Sequence, residues 1–186
     1  MLGGARSGKS TYAEKRASEI GGEDVLYVAT SEIRDEEMRE RVEKHREQRP
    51  STWRTIEAPT DVAKAIRKAN PAEAKVILLD CLTLLATNQL LKAAGPENDV
   101  FDEPSSDPFD KQIEQDLVRE VQDLIKLANE WDAEFLIVSN EIGLGIVPAY
   151  ALGRAYRDIL GRANQILAEY ADEVLFMVAG IPMKVK

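Results

Sequence analysis

The residues nearest the amino end have the types and spacing for phosphate chemistry. The run Gly3–Ser10 has the pattern G-x-x-x-x-G-K-S, and a segment with helical periodicity follows it at once. In such a loop, glycines let backbone N–H groups turn toward phosphates, Lys9 supplies a cation to the β- and γ-oxygens, and the Ser10 hydroxyl can bind Mg²⁺. The amino end of the following helix adds positive potential. The run therefore predicts a site for a nucleoside triphosphate.

A second acidic element supports this prediction. Asp80 ends the apolar run Val76–Leu79, which is typical of a buried strand. In phosphate-loop enzymes an aspartate at this place holds Mg²⁺ directly or through water. The alternative is that Asp80 caps the helix that follows, since aspartate is a favoured N-cap. Because the glycine loop is in the same chain, we expect Mg²⁺ to be bound by Ser10 and Asp80.

The chain has one histidine, His45, inside a segment with helical periodicity over Asp35–Gln48. Met38, Val42 and His45 are spaced i, i+4, i+7, so the imidazole shares the apolar stripe and points inward or into a cleft. Pro50 stops the helix. Three arginines lie within about a turn of the imidazole and are candidate phosphate donors: Arg41, Arg46 and Arg49.

Two interpretations of His45 remain open from these residues. It could be a partly buried histidine with a structural hydrogen bond. Alternatively, a neutral imidazole could attack an α-phosphorus, form a phosphoramidate and expel pyrophosphate. Neighbouring arginines would favour the second role by lowering the pKa of the imidazole.

Short Val-, Ile- and Leu-rich runs alternate with longer amphipathic segments, which predicts an α/β fold with a largely parallel sheet covered on both faces. The predicted strands are Val25–Thr30, Trp53–Ala58, Val76–Leu82, Glu134–Asn140 and Val174–Ala179. Besides the His45 segment, the predicted helices are Ser10–Ile20, Thr60–Ala69, Leu82–Ala93, Pro108–Trp131 and Pro148–Tyr170. The stretch Gly95–Pro108, rich in Pro, Asp, Glu and Ser, is predicted to be a surface loop.

The strand expected before a phosphate loop is almost missing, because only Met1 and Leu2 precede Gly3. Either the sheet lacks one central strand or the sequence starts inside it, and we favour the latter. The expected architecture is a single domain over residues 1–186: a P-loop NTPase-like three-layer sandwich whose first strand is truncated.

Composition limits the possible functions. Hydrophobic residues make up 44% and charged residues 31% of 186 residues, as in ordinary globular proteins. The net charge of −9 argues against a binder of duplex DNA or RNA. No apolar run reaches the length of a membrane span, and one cysteine, Cys81, excludes an internal disulfide. We expect a cytoplasmic protein.

Several longer strings resemble one family. Gly3–Ser10, Val25–Ser31 and Asp35–Met38 match, in order and spacing, the bifunctional adenosylcobinamide kinase / adenosylcobinamide-phosphate guanylyltransferase of cobalamin biosynthesis. His45–Pro50 with Trp53–Glu57 is similar to that family's guanylylation segment. Further matching strings lie later in the chain: Ser139–Pro148, Arg157–Gln165 and Gly180–Lys186.

The resemblance implies two reactions and a recombinase-type phosphate-loop fold assembled as a homotrimer. A nucleoside triphosphate, ATP or GTP, would phosphorylate adenosylcobinamide. GTP would then guanylylate His45, and the GMP would pass to adenosylcobinamide phosphate and give adenosylcobinamide-GDP. The implied nucleotide-binding residues are Gly3, Gly4, Ala5, Arg6, Ser7, Gly8, Lys9, Ser10, Ala29, Thr30, Ser31, Arg46, Glu47, Gln48, Arg49, Glu57 and Asp80.

The segment Asn140–Pro148 has two interpretations of equal weight. It could be a tight turn from strand to helix. It could also be part of a site, because Glu141 follows a predicted parallel strand, where ligands collect in open α/β sheets.

Two other functions compete with the bifunctional enzyme. A small-molecule kinase with a structural His45 would transfer phosphoryl groups without covalent GMP. A regulatory module would bind nucleotide without turning over any corrinoid. A histidine among arginines beside the loop favours the bifunctional enzyme.

Overall fold

The computed structural model describes residues 1–32, 36, 39, 40, 43, 46, 49–94 and 111–186. The strands are β1 (Leu2–Gly3), β2 (Val25–Ala29), β3 (Arg54–Glu57), β4 (Val76–Asp80), β5 (Glu134–Val138), β6 (Leu175–Val178) and β7 (Ile181–Lys184). The helices are α1 (Lys9–Gly21), α2 (Val62–Ala69), α3 (Leu82–Ala94), α4 (Lys111–Glu130) and α5 (Ala151–Tyr170). Residues 36, 39, 40, 43 and 46 are also helical.

The strands form two sheets that β1 connects. One is parallel throughout, in the order β3-β2-β4-β5, and the other has the order β1-β6-β7 with β7 antiparallel. Backbone N–H groups of Ser139 and Glu141 donate to the carbonyls of Met1 and Gly3 at 2.9 and 3.0 Å. The two-residue β1 therefore lies between β5 and β6, at the place where a phosphate loop leaves its strand. Next to β1, a groove of about 280 Å³ lies between β5 and β6.

Successive side chains along each strand point to opposite faces of the sheet, so helices can pack on both faces. The result is three layers, with the sheet between two layers of helices. Leu26 and Val28 of β2 pack with Leu79 of β4 in a core that α2, α3, α4 and α5 cover. Tyr27 and Leu78 lie in a second core, which α1 covers through Ala13 and Ala17. The predicted α/β sandwich with a largely parallel sheet is confirmed.

The element boundaries differ from the predictions at the strand ends. Each of the five predicted strands is shorter than expected, and the helices predicted from Thr60 and Pro148 begin at Val62 and Ala151. Just beyond two of the strand ends, the N–H groups of Thr30 and Ser139 still donate to the carbonyls of Asp80 and Met1. The predicted surface loop Gly95–Pro108 lies outside the described residues.

The strand β7 has no counterpart in the sequence prediction. Pro182 inside it cannot donate to a ladder, which argues against a strand unless the strand lies at a sheet edge. In the structure β7 is that edge. A two-residue turn, Ala179-Gly180, joins it to β6, with φ of +51° and +81°, the left-handed values that tight hairpins need. Within the described residues, no helix is long and apolar enough to cross a membrane.

Candidate nucleotide site

The phosphate loop is shaped by two glycines whose positions exclude side chains. Gly8 has φ of +90°, and a Cβ there would lie 3.0 Å from the Cα of Gly180. Gly3 has φ of +153°, and a Cβ there would lie 2.7 Å from the carbonyl oxygen of Met177. The N–H of Gly180 donates to the Ser7 carbonyl at 2.9 Å. The β6–β7 turn therefore supports the loop from behind, a role that the glycine-loop motif does not predict.

Lys9 is the first residue of α1 and its side chain turns back into the loop. It is only 7% exposed, and its Nζ donates to the Gly4 carbonyl at 2.7 Å. Burial lowers the pKa of Lys9, while the nearby Cys81 and Asp80 oppose this effect. The Oγ of Ser7 is buried and has no hydrogen-bond partner among the described residues. The Lys9 ammonium at the end of a glycine loop is suited to bind an anion.

Three strand ends meet beside this loop. In the register of the sheet, Ala29 is paired with both Glu57 and Asp80, and Asp80 is paired with Val138. The Asp80 carboxylate accepts a hydrogen bond from the hydroxyl of Tyr27 at 2.9 Å, through Oδ2. Glu57 is exposed at the same edge. The sequence-predicted carboxylates therefore lie at the carboxyl ends of the parallel strands, where α/β proteins bind ligands.

Thr30 is completely buried and its hydroxyl is used internally. The Oγ1 donates to the Cys81 carbonyl at 2.7 Å and accepts from the Cys81 N–H at 2.9 Å. The amide of Asn88 donates to the Thr30 carbonyl at 2.7 Å. Thr30 thus ties β2 to β4 at the site edge, while its neighbours Ala29 and Ser31 are half-buried. Burial raises the pKa of the Cys81 thiol to about 11, and the Asp80 charge adds to the shift.

Arg49, in the predicted guanylylation segment, contacts α1 and β2. Its side chain is 7% exposed, and its Nε lies 3.7 Å from Oε1 of Glu14 on α1. Its guanidinium lies over the Tyr27 ring at 3.6 Å from the centroid. Burial raises the pKa of Glu14 to about 7, an effect that Arg49 opposes and Asp80 increases. Arg46, by contrast, is exposed.

Three of the predicted site residues fall outside the described residues: His45, Glu47 and Gln48. The structure brings three predicted site residues together: Lys9 begins α1, Asp80 is bonded to Tyr27 of β2, and Arg49 contacts both α1 and Tyr27. Tyr27 and Glu14, which join them, were missed by the sequence analysis. The one available signal was a tyrosine within a buried aliphatic strand, because a buried phenol usually needs a hydrogen-bond partner.

The segment Asn140–Pro148 forms a loop that is anchored at its start. The Asn140 N–H donates to Thr83 Oγ1 at 2.8 Å, and Glu141 Oε1 accepts from the Gly143 N–H at 2.5 Å. The tight turn that one interpretation predicts is not present, because the connection from β5 to α5 runs over residues 139–150. Because Glu141 also bonds to Gly3, the loop starts beside the phosphate site. Leu144 and Ile146 are 80% and 95% exposed.

The predicted metal ligands, Ser10 and Asp80, both supply oxygen atoms. Among the described residues no three His, Cys, Asp or Glu side chains form a metal-binding group. Magnesium in phosphate-transfer sites is usually held by one or two protein oxygens together with substrate phosphates and water. The hydroxyl of Ser10 and the carboxylate of Asp80 are oxygen donors of this kind.

The glycine loop before α1, the parallel sheet and the aspartate that ends β4 define a P-loop-type α/β protein. The family model described as cobinamide kinase / cobinamide phosphate guanyltransferase matches residues 1–185. The chain belongs to this family of bifunctional enzymes, which confirms the resemblance seen in the sequence.

Three relatives cover the whole chain. The bifunctional adenosylcobalamin biosynthesis protein CobU of Escherichia coli (strain K12) is 43% identical over 188 residues, with 98% of the relative covered. The protein of the same name from Salmonella typhimurium (strain LT2) is 44% identical over 186 residues, also with 98% covered. The bifunctional adenosylcobalamin biosynthesis protein CobP of Pseudomonas aeruginosa (strain PAO1) is 42% identical over 187 residues, with 95% covered.

Proposed function

We propose that this chain phosphorylates adenosylcobinamide and then transfers GMP from GTP to adenosylcobinamide phosphate, through a covalent GMP–histidine intermediate at His45. One observation carries the proposal. Arg49, at the end of the predicted guanylylation segment, contacts the helix that follows the phosphate loop and the tyrosine that binds Asp80. His45 precedes Arg49 by four residues in sequence, and this closeness to a residue that contacts α1 supports a place for His45 near the phosphate loop.

In the kinase step, the loop holds the triphosphate and the acceptor hydroxyl attacks the γ-phosphorus. The backbone N–H groups and Lys9 face the phosphate oxygens, and burial of Lys9 strengthens its attraction for them. Ser10 and Asp80 would hold Mg²⁺, which when bound neutralises charge on the phosphates. The O–P bond to the acceptor forms as the bond between the γ-phosphorus and the bridging oxygen breaks, nucleoside diphosphate leaves, and the proton of the acceptor hydroxyl passes to solvent.

In the transferase step, a ring nitrogen of His45 attacks the α-phosphorus of GTP. The N–P bond forms as the bond between the α-phosphorus and the α–β bridging oxygen breaks, and pyrophosphate leaves with the electron pair. A phosphate oxygen of adenosylcobinamide phosphate then attacks the same phosphorus, which breaks the N–P bond and releases the imidazole. Lys44 and Arg46 flank His45 in sequence, and Arg41 and Arg49 each lie four residues from it.

The remaining predicted nucleotide contacts keep their assignment. Ala29, Ser31 and Glu57 lie at the sheet edge that supports Asp80. The buried, internally bonded hydroxyl of Thr30 supports a role in shaping this edge. Glu47 and Gln48 are assigned from the family resemblance. The single cysteine of the chain supports the predicted cytoplasmic location.

We also propose that the enzyme is a homotrimer. Support comes from an apolar face on the β6–β7 hairpin, where Ile181 and Met183 are 65% and 54% exposed and paired with Val178 and Phe176. Exposed apolar surface of this kind is typical of an interface between subunits. Sedimentation equilibrium should give three times the chain mass, and Ile181→Glu should lower it. A wild-type mass of 20.7 kDa would contradict the proposal.

Labelling with GTP that carries ³²P at the α-phosphate tests the covalent step. We expect acid-labile, alkali-stable label on the wild-type protein and none on His45→Ala or Lys9→Ala. His45→Ala should lose the label but still transfer phosphoryl groups to adenosylcobinamide. Lys9→Ala should lose both the label and phosphoryl transfer. Undiminished label in His45→Ala would exclude His45 as the nucleophile. Phosphoryl transfer by the wild type without any label would favour the kinase with a structural histidine.

A further inference from the structure

Tyr27 makes contacts at both ends of its side chain, and both partners belong to the proposed site. The residue lies on β2 and is 3% exposed. Its hydroxyl donates to Asp80 Oδ2 at 2.9 Å. Its ring lies under the Arg49 guanidinium, 3.6 Å from the ring centroid. One side chain therefore connects the predicted magnesium ligand with Arg49 of the predicted guanylylation segment.

The hydrogen bond restricts the carboxylate that it binds. An ionised carboxylate only accepts hydrogen bonds, so the phenol must be the donor. With Oδ2 held by Tyr27, rotation of the Asp80 carboxylate is limited and Oδ1 is presented in one orientation. Partners that orient a metal ligand in this way commonly change metal affinity 10- to 100-fold when removed.

The ring face makes a second, independent contact. A guanidinium over a tyrosine ring is attracted by the ring quadrupole, more strongly when the pair is shielded from water. Glu14 contacts the same guanidinium from α1, with Oε1 at 3.7 Å from Nε. The side chains of Arg49 and Glu14 are 7% and 14% exposed. Arg49 is thus held between the sheet and the phosphate-loop helix.

We propose that Tyr27 is a positioning residue for both proposed reactions: its hydroxyl orients Asp80 for Mg²⁺, and its ring, with Glu14, holds Arg49 and so anchors the segment that carries His45. The inference rests on the proposed function and adds two residues, Tyr27 and Glu14, to it. A purely structural Tyr27 would contribute to the folding free energy alone.

The two contacts can be separated by substitution. Tyr27→Phe removes the hydroxyl and keeps the ring under Arg49. Glu14→Gln removes the ion pair between Glu14 and Arg49 and keeps the hydrogen bond between Tyr27 and Asp80. Tyr170→Phe is a matched control, because Tyr170 is 62% exposed at the end of α5.

The first measurement is binding of a non-hydrolysable GTP analogue by calorimetry at increasing Mg²⁺ concentrations, with the full-length protein. For Tyr27→Phe we expect half-saturation at about tenfold higher Mg²⁺, with unchanged affinity for the analogue in EDTA. Tyr170→Phe should match the wild type. Unchanged Mg²⁺ half-saturation in Tyr27→Phe, with only a lower melting temperature, would overturn the role of the hydroxyl.

The second measurement is the rate of covalent labelling by α-labelled GTP at saturating Mg²⁺ and pH 8, where Glu14 carries its negative charge. We expect Glu14→Gln to slow labelling about tenfold with unchanged Mg²⁺ half-saturation, and Tyr27→Phe to label at nearly the wild-type rate. Wild-type labelling in Glu14→Gln would overturn the anchoring role. A wild-type protein that binds the analogue without any Mg²⁺ dependence and never labels would refute the proposed function itself, a result separate from any effect of these variants.

Discussion

Replacement of Glu14 by glutamine should make the protein more stable above neutral pH. Glu14 is largely buried on α1, and burial raises the pKa of its carboxyl from an ordinary value near 4.5 to about 7 despite the nearby Arg49. A folded-state pKa above the unfolded value means that the folded protein binds more protons between these two pH values. The stability contributed by protonated Glu14 is therefore complete below pH 4.5 and is lost as pH rises through about 7.

The magnitude follows from the size of the pKa shift. At 1.36 kcal/mol per pKa unit, the loss approaches about 3 kcal/mol at pH 8. Glutamine has the shape of the protonated acid and does not ionise. Glu14→Gln should therefore match the wild type near pH 4.5 and exceed its free energy of unfolding by at most about 3 kcal/mol at pH 8.

Urea denaturation of both proteins at pH 5, 6, 7 and 8 measures this difference. Glu19→Gln is the matched control, because Glu19 lies on the same helix with its side chain 53% exposed in an ion pair with Lys15. Its stability difference from the wild type should stay constant with pH. Parallel curves for Glu14→Gln and the wild type, or a less stable Glu14→Gln at pH 8, would refute the reasoning.

Three further predictions concern the frame that holds the site. Gly21→Ala should lower the free energy of unfolding by about 1–3 kcal/mol, because its methyl would lie 2.9 and 3.0 Å from two valine side chains. Gly161→Ala, where the added methyl meets open space, should raise the free energy of unfolding by up to about 1 kcal/mol. Thermal or urea unfolding measures both changes. Thr30→Val should lower the free energy of unfolding by about 1–3 kcal/mol for each Cys81 backbone group left without its hydrogen bond. Thr30→Ser keeps the hydroxyl and should be more stable than Thr30→Val. Equal stability of the two variants would contradict this. Leu79→Ala, in the buried core, should cost about 2–5 kcal/mol by urea unfolding, and a loss below 1 kcal/mol would contradict the packing described.

Local patterns were sufficient for much of the fold. The unbroken apolar runs of β4 and β5 predicted central parallel strands, because strands buried on both faces show no polar alternation. The G-x-x-x-x-G-K-S string specified the phosphate loop, since its chemistry depends on backbone conformation and on neighbours in sequence. The strand β7 was missed because Pro182 argues against a strand until its edge position is known.

The sequence by itself determined the phosphate loop, the α/β layering and the family, because these depend on short motifs and on residue periodicity along the chain. Only the tertiary structure revealed that Tyr27 joins Asp80 to Arg49, that Glu14 is buried against this arginine, and that the turn at Gly180 supports the loop. These contacts link residues far apart in sequence. Their energies depend on burial and on distances of a few ångström, and both are decided only when the strands and helices pack together.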